Sequence, residues 1–407
     1  MAADVERETR DRTPSAARIY LDHAATTRTE RAVVEAMLPY WTEIWGNASS
    51  IYAAGRDARA ALDRARASLA ETLGCHPREI TITSGGSESD NLALRGVVER
   101  AREAGNRQPH LITSAVEHHA IMHTAEALAK TGVAVTYLPV DAYGAVSPDD
   151  LAAAIRSETC LVSLIYANNE VGTVNPIADL AAVARAHGVP FHTDAVQAPG
   201  ALPIDVHALG VDLLSLSAHK FGGPKGVGLL YARRDVRFAP QITGGGQEMN
   251  RRAGTENVAY AVGMATALTH AEVMRAQWVA ECARLRNAFV ARILAAVPDA
   301  RLNGYPIGDP MTRLANNANI GFAGIEAESL LILLDTEGIA ASVGSACASG
   351  SIEPSHVLRA MGVPDEYALG TLRFTFGPEN TDAELDTVAA VLPRLVARLR
   401  AVALLGV

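Results

Sequence analysis

From about residue 57 to 231 the chain alternates stretches of helical spacing with short apolar or β-branched runs. That pattern predicts repeated strand–helix units around a mainly parallel sheet. Seven runs read as strands: "EITIT" (79–83), "LITSA" (111–115), "VAVTYL" (133–138), "CLVSLIY" (160–166), "VPFHT" (189–193), "LLSLS" (213–217) and "VGLLY" (227–231). Ligands of such sheets bind beyond the carboxyl ends of the strands, so the residues just after each run are the candidates for chemistry. After residue 255 the pattern becomes one long helical stretch, "ENVAYAVGMATALTHAEVMRAQWVAECARLRNAFVARILAAV", which reads as a connector between domains. Beyond it, the strands "ANIGF", "IAAS" and "LRFTF" and the helices "EAESLLILLDTEG" and "DAELDTVAAVLPRLVARLRAV" predict a second, smaller α/β domain. The expected division is a disordered tail at 1–18, a large domain at 19–256, and a connector helix with the small domain at 257–407. The segment 19–30 is expected to pack with the small domain.

Composition narrows the class. With 407 residues the chain is long enough for a large core, and 49% hydrophobic with 20% charged residues is ordinary for a globular protein. A net charge of -9 and no basic run with interleaved aromatics argue against a nucleic-acid partner. The first 18 residues, "MAADVERETRDRTPSAAR", mix both charge signs without an apolar core, so they resemble neither a signal peptide nor a spanning helix. The densest apolar run elsewhere is "LLILL" at 330–334, too short for a membrane span. Four scattered cysteines, Cys75, Cys160, Cys282 and Cys347, form no CxxC pair, which signals neither a disulfide framework nor structural zinc and fits a cytoplasmic, reducing setting.

The basic residues carry a sharper signal: of 36, only Lys130, Lys220 and Lys225 are lysine. Two of these fall in "SLSAHKFGGPKGVGLL" (215–230). A guanidinium stays protonated, whereas a lysine amine can lose its proton and attack a carbonyl. Lys220 follows the sixth strand and is the candidate for that chemistry; Lys225, in a glycine turn, reads as a surface or structural lysine. After the first strand, "SGGSESDN" (84–91) opens a helix, which suits a phosphate or is simply a turn. After the second, "VEHHAIMH" sets His119 and His123 four apart beside His118. That spacing suits a metal or, at a strand end, an imidazole stacked on a planar ring, but the Glu of HExxH is missing and no metal is assigned. After the fifth strand, Asp194 is either a buried anion paired with a cation such as a protonated ring nitrogen, or a structural hydrogen-bonded carboxylate. The combined set of lysine, anion, flat histidine and phosphate cup matches the needs of pyridoxal phosphate.

"YLDHAATT", "TSGGSESDN", "VEHHAI", "YANNEVGTVNPI", "HTDAVQAPG", "SLSAHKFGGPKGVG", "RRAGTEN", "SVGSACASGSIEPSHVLRAMG" and "LRFTFG" together resemble the cysteine desulfurases, class V of the aminotransferase fold, in order from about residue 19 to 378. The resemblance implies a fold-type-I pyridoxal-phosphate transferase, in which Lys220 holds the cofactor, Asp194 keeps its ring nitrogen protonated and His118 stacks on the ring. It further implies that Asn169 and Gln197 reach the ring hydroxyl, and that Gly86, Ser87, Ser217 and His219 bind the phosphate with Thr255 from the other subunit of a homodimer. Arg373 would grip the carboxylate of L-cysteine, with Asn169 also on the substrate side. Cys347, in the small-residue run "SVGSACASGS", reads as a thiol on a mobile loop that takes the substrate sulfur as a persulfide and leaves L-alanine. His118 is the candidate acceptor of the Cys347 proton.

The same resemblance favours the subgroup that supplies iron–sulfur cluster assembly, with an iron–sulfur scaffold, a thiouridine pathway or a dedicated partner as the candidate sulfur acceptors. Tyr52 stands where the family usually has histidine and Arg28 where proline is common. The rival readings are a selenocysteine lyase, a class-V aminotransferase acting on another amino acid, and a metal-dependent hydrolase built on His118, His119 and His123.

Overall fold

A computed structural model describes residues 19–344 and 354–404. Its strands, in chain order, are β1 (Ile19–Tyr20), β2 (Ile80–Thr83), β3 (His110–Ser114), β4 (Ala134–Leu138), β5 (Thr159–Ile165), β6 (Phe191–Asp194), β7 (Leu213–Ser217), β8 (Gly228–Ala232), β9 (Ala300–Leu302), β10 (Asn317–Phe322), β11 (Ile339–Ala340) and β12 (Thr371–Thr375). The helices that shape the site are α1 (Ala53–Leu73), α2 (Gly86–Glu103), α3 (His119–Ala129), α4 (Val258–Ala296), α5 (Ala327–Thr336) and α6 (Asp382–Leu404).

All seven predicted strands of the first region form, and they share one sheet in the order β2-β8-β7-β6-β5-β3-β4. β8 runs antiparallel to both β2 and β7, while the other neighbours are parallel. The strands were legible because helices cover both faces of a parallel sheet, so the runs are apolar almost throughout. In β7, "LLSLS" is buried at every position.

The predicted connector is α4, which at 39 residues extends for about 58 Å. Its first half, from Val258 to Ala271, lies in the core beneath the large sheet, and small residues bring it close to its neighbours. A Cβ on Gly263 would stand 2.5 Å from Met37 Sδ, so glycine is what permits that approach. From Cys282 to Ile293 the same helix enters a second core with Leu21, β10, β12, α5 and α6. The division between the two cores thus falls inside one continuous helix.

The second core covers an antiparallel sheet of order β12-β10-β9, and beside it β1 pairs in parallel with β11, Ile19 opposite Ile339. Strand β9 was not legible: three half-buried residues, "ARL", carry no alternation to detect. Among the described residues no helix is long and apolar enough to cross a membrane.

Phe289 of α4 is fully buried and packs edge-on against Phe374 (ring centroids 5.0 Å apart) and Phe376 (5.6 Å). Phe289→Ala should therefore lower unfolding stability by about 3–5 kcal/mol in a urea titration. A change under about 1 kcal/mol would mean that this aromatic cluster does not hold the second core.

Candidate active site

The carboxyl ends of the central strands open onto a cavity of about 280 Å³. β2 leads through Ser84 and Gly85 into α2, bringing Gly86 and Ser87 to its wall. Asn169 follows β5, Asp194 ends β6 with Gln197 just beyond, and Ser217 ends β7 ahead of a tight 3-10 turn carrying His219 and Lys220. His118 enters from the cap of α3, and Arg373 from β12 of the second sheet. Ten of the residues singled out from the sequence therefore meet at one place. Thr255 does not: it is exposed and lines a separate recess with Thr83, Ser84 and Gly226. Cys347 lies outside the described residues, as do 1–18 and 405–407. Gly344 and His356, which flank the stretch 345–353 at short remove, both line the cavity.

Lys220 is placed by the N-terminal segment. Its Nζ donates to the carbonyls of Ala24 (2.6 Å) and Ala25 (2.8 Å). That segment is itself stitched to the lysine turn: the Thr27 hydroxyl donates to His219 O, the Gly222 N–H donates to Thr27 Oγ1, and Gln197 Nε2 donates to Ala24 O. The other two lysines, Lys130 and Lys225, are exposed.

The cavity wall is rich in buried ionisable groups. Asp194 is buried and spends one oxygen on the Val196 N–H (3.0 Å); burial raises its pKa to about 6 against the opposing pulls of that hydrogen bond and of Lys220. Burial also pushes Glu117 up to about 8, although its Oε1 accepts from the Ser114 hydroxyl and the Ile165 N–H. The histidines move the other way, because burial favours the neutral ring. His192 falls to about 3, and His118 and His219 to about 4, the last two with Lys220 adding to the effect.

His118 caps α3 through Nδ1, which accepts the Ala120 N–H at 3.2 Å. A backbone N–H only donates, so the proton of the neutral ring sits on Nε2. The side chain therefore presents a donor to the cavity. Accepting a proton would require it to release its helix, which argues against the role of base toward Cys347.

Arg373 is 2% exposed. Its guanidinium donates to Asp22 Oδ1 (2.8 Å) and Asn169 O (2.9 Å), while its Nε–H is buried without a partner among the described residues. An anion in the cavity would satisfy it. At the other end, no side chain caps α2. A Cβ on Gly86 would lie 2.8 Å from Val196 Cγ2, so glycine is what lets the first turn of this helix, with its free N–H groups, close against the strand ends.

The His119 ring stacks on His123 (centroids 5.0 Å apart) and tilts against His356 (5.1 Å). Among the described residues no group of three or more His, Cys, Asp or Glu is placed to hold a metal ion. Four ionisable wall residues escaped the sequence reading: Asp90, Glu117, Glu170 and His356. Each belongs to a quoted motif, but nothing in the linear pattern turns them inward. His356 Nε2 lies 2.9 Å from Glu117 O, and Glu170 accepts the Ser355 hydroxyl at 2.5 Å.

Residues 19–388 match the class-V aminotransferase family. The chain is 50% identical over 384 residues to the cysteine desulfurase IscS of Methanosarcina thermophila, covering 94% of this chain and 93% of that one. It is 47% identical over 388 residues to an IscS-like cysteine desulfurase of Mycobacterium tuberculosis, covering 95% and 98%. Among solved structures, a NifS-like protein superposes with a TM-score of 0.86 at 35% identity over 94% of this chain and all of the other. The protein SspA in complex with cysteine gives 0.77 at 35% identity, over 89% of this chain and all of that one.

Because burial pushes His192 down to about 3 from the 6.5 of an unfolded histidine, its contribution to stability is complete above about pH 6.5 and declines as pH falls toward 3. Urea titrations at pH 7 and pH 5 should show His192→Gln losing about 2 kcal/mol less than the parent between the two. Equal losses would mean that His192 is charged in the folded protein.

Proposed function

The chain belongs to the class-V aminotransferase family and is an enzyme of the cysteine desulfurase type; from that premise we propose how it works and with what. The observation that carries the reading is the meeting of Lys220, Asp194, His118 and Arg373 around one cavity. The substrate is L-cysteine, the carbon product L-alanine, and the sulfur leaves as a persulfide on Cys347. Pyridoxal phosphate would supply an electron sink for the α-carbon of the substrate. The residues present suit that cofactor. The uncapped start of α2 with Gly86, Ser87, Ser217 and His219 offers donors to a phosphate, and the buried Asp194, raised by burial despite the pull of Lys220, would gain from the cation that a protonated ring nitrogen supplies. The Lys220 amine stands ready to bond a carbonyl.

Lys220 would anchor the cofactor and, once the substrate has displaced it, move the proton of the substrate α-carbon. The two carbonyls that hold its Nζ fix where that amine returns. Arg373 would take the substrate carboxylate with its unpartnered Nε–H, a fit for planar recognition. Asn169, whose carbonyl already holds Arg373, and Gln197 would meet the ring hydroxyl. His118 would lie over the ring and donate from Nε2. The Cys347 thiolate attacks the substrate sulfur, so that an S–S bond forms as the Cβ–S bond breaks.

The functional unit we propose is a homodimer that passes its sulfur to a scaffold protein of iron–sulfur cluster assembly. The IscS naming of the relatives supports the acceptor. Supporting the dimer, Thr255 is exposed away from its own cavity, beside Glu256, which accepts from the Ser49 hydroxyl. The segment around Ser49 carries exposed Trp41, Trp45, Ile51 and Tyr52. Trp41 packs edge-on against Tyr260, which places this apolar surface near Thr255.

Incubating the protein with L-cysteine without reductant should add sulfur to Cys347, located by peptide mass mapping, together with free alanine. Cys347→Ser should abolish the adduct. A yellow protein that leaves Cys347 unmodified yet converts an amino acid to its keto acid would favour the aminotransferase reading instead. Arg373→Lys should raise KM for L-cysteine about 10-fold or more, the worth of a charged hydrogen bond, with the bound-cofactor spectrum unchanged. An unchanged KM would remove Arg373 from substrate binding.

A further inference from the structure

Three carboxyl groups, not one, line the floor of the cavity: Asp194, Asp90 and Glu117. The strand register brings them together. Asp194 is level with Ile165 on β5, whose N–H is taken by Glu117, and with Ser215 on β7. Asp90 comes from α2 above the sheet and is 1% exposed. Among the described residues its Oδ1 is buried with no hydrogen-bond partner, as is Glu117 Oε2, although the Ser215 hydroxyl acts on the Asp90 carboxyl. Beneath them His192 lies between the hydroxyls of Ser163 (2.8 Å) and Ser215 (2.9 Å), with Nε2 3.8 Å from Asp90 Oδ1.

The charges facing this floor are few. His192 and His118 are neutral rings. On the far wall Arg373 is matched by Asp22, and Glu170 is tied to Ser355. Lys220 is the cation within reach, held by two carbonyls. In the apoprotein Lys220 is thus the single cation that faces the floor among the described residues, and a bound cofactor would add its ring nitrogen. Three ionised carboxylates against one cation in a buried wall would carry a prohibitive desolvation cost, so two of them must keep their protons.

We propose that Asp90 and Glu117 are neutral carboxylic acids at neutral pH, flanking Asp194 as positioning residues that leave one negative charge at the floor to face the ring nitrogen. The assignment of that single charge to the ring rests on the cofactor reading above; the neutrality of the two acids does not. Burial is the main cause holding Glu117 up at about 8, and it holds Asp90 well above the carboxylate range, with the neighbouring Asp194 reinforcing both. The consequence is functional. One anion keeps the ring protonated, while a second or third would oppose the electrons that must flow toward it.

The test is infrared spectroscopy of the apoprotein in heavy water at neutral pH, followed by the pH dependence of pyridoxal phosphate binding. Protonated-carboxyl absorption is expected in the parent, one component lost in Asp90→Asn and another in Glu117→Gln. In the parent the Glu117 component should vanish as pH rises through about 8. This serves if either variant fails to fold. Absence of these components overturns the proposal whatever the cofactor. In the second experiment the acid midpoint of binding, set by Asp194, should stay within about half a unit in Asp90→Asn, because an amide replaces a group already neutral. A midpoint lowered by about one unit or more would show that Asp90 carries charge and overturn the proposal. Intact infrared components in a protein that binds no pyridoxal phosphate would uphold the neutral acids and bring down the cofactor reading alone.

Discussion

A buried carboxylate facing a space for a cation is the interaction on which the rest of this cavity depends. Asp194 sits at the end of a central strand, out of water, with one oxygen hydrogen-bonded to the following turn. In such surroundings a charge is tolerated only opposite another charge. Several other ionisable groups around it are accordingly quieted. Burial keeps His118, His192 and His219 neutral, the Lys220 amine rests on two carbonyls, and Arg373 is matched by Asp22. A ligand bringing one positive nitrogen to Asp194 and one anion to the unpartnered Arg373 Nε–H would complete the set. This is the demand that a pyridine cofactor carrying an amino-acid substrate would meet.

The fold meets this demand by joining two cores. Asp194, Ser217 and Lys220 belong to the large sheet, whereas Arg373 comes from β12 of the second. Their relative placement is held by α4, whose two halves are buried in different cores, and by the segment that follows β1. That segment begins by pairing with β11 and ends by donating Glu30 N–H to Gly222 O, having offered Lys220 its two carbonyls on the way. A shift of the second core relative to the first would therefore act on the lysine and the arginine together.

Much of this was legible in the sequence, for a definable reason. All but the edge strand β4 of the large sheet are buried along nearly all their length, so they read as apolar runs, and glycine-bearing turns mark where the functional residues begin. Lys220 and Asp194 were visible because a lysine in an arginine-rich chain and a carboxylate after an apolar strand are each locally anomalous. β9 was invisible because three half-buried residues have no period. Asp90 and Glu117 were invisible for another reason: acidic residues at a helix start or in a turn ordinarily face water, and only the strand register and the overlying helix turn these inward. The expectation that His118 accepts a proton also came from residue type alone. A cap hydrogen bond that no sequence pattern displays now weighs against it.

The chain's preference for arginine makes the retained lysine a matter of chemistry rather than charge. A guanidinium at position 220 could donate to the same two carbonyls, and with five N–H groups it would do so more rigidly. It could not shed its proton in any folded environment, and so could neither bond a carbonyl carbon nor accept the proton of a substrate. Two backbone carbonyls are also weak enough partners to let the amine go. A carboxylate there would have bound the ammonium form more tightly, raised its pKa and kept the nitrogen from reacting. The two carbonyls that accept from Lys220 and the proposed confinement of negative charge to Asp194 thus belong to one arrangement, in which the anion acts on the lysine only across space and is free to face the ring.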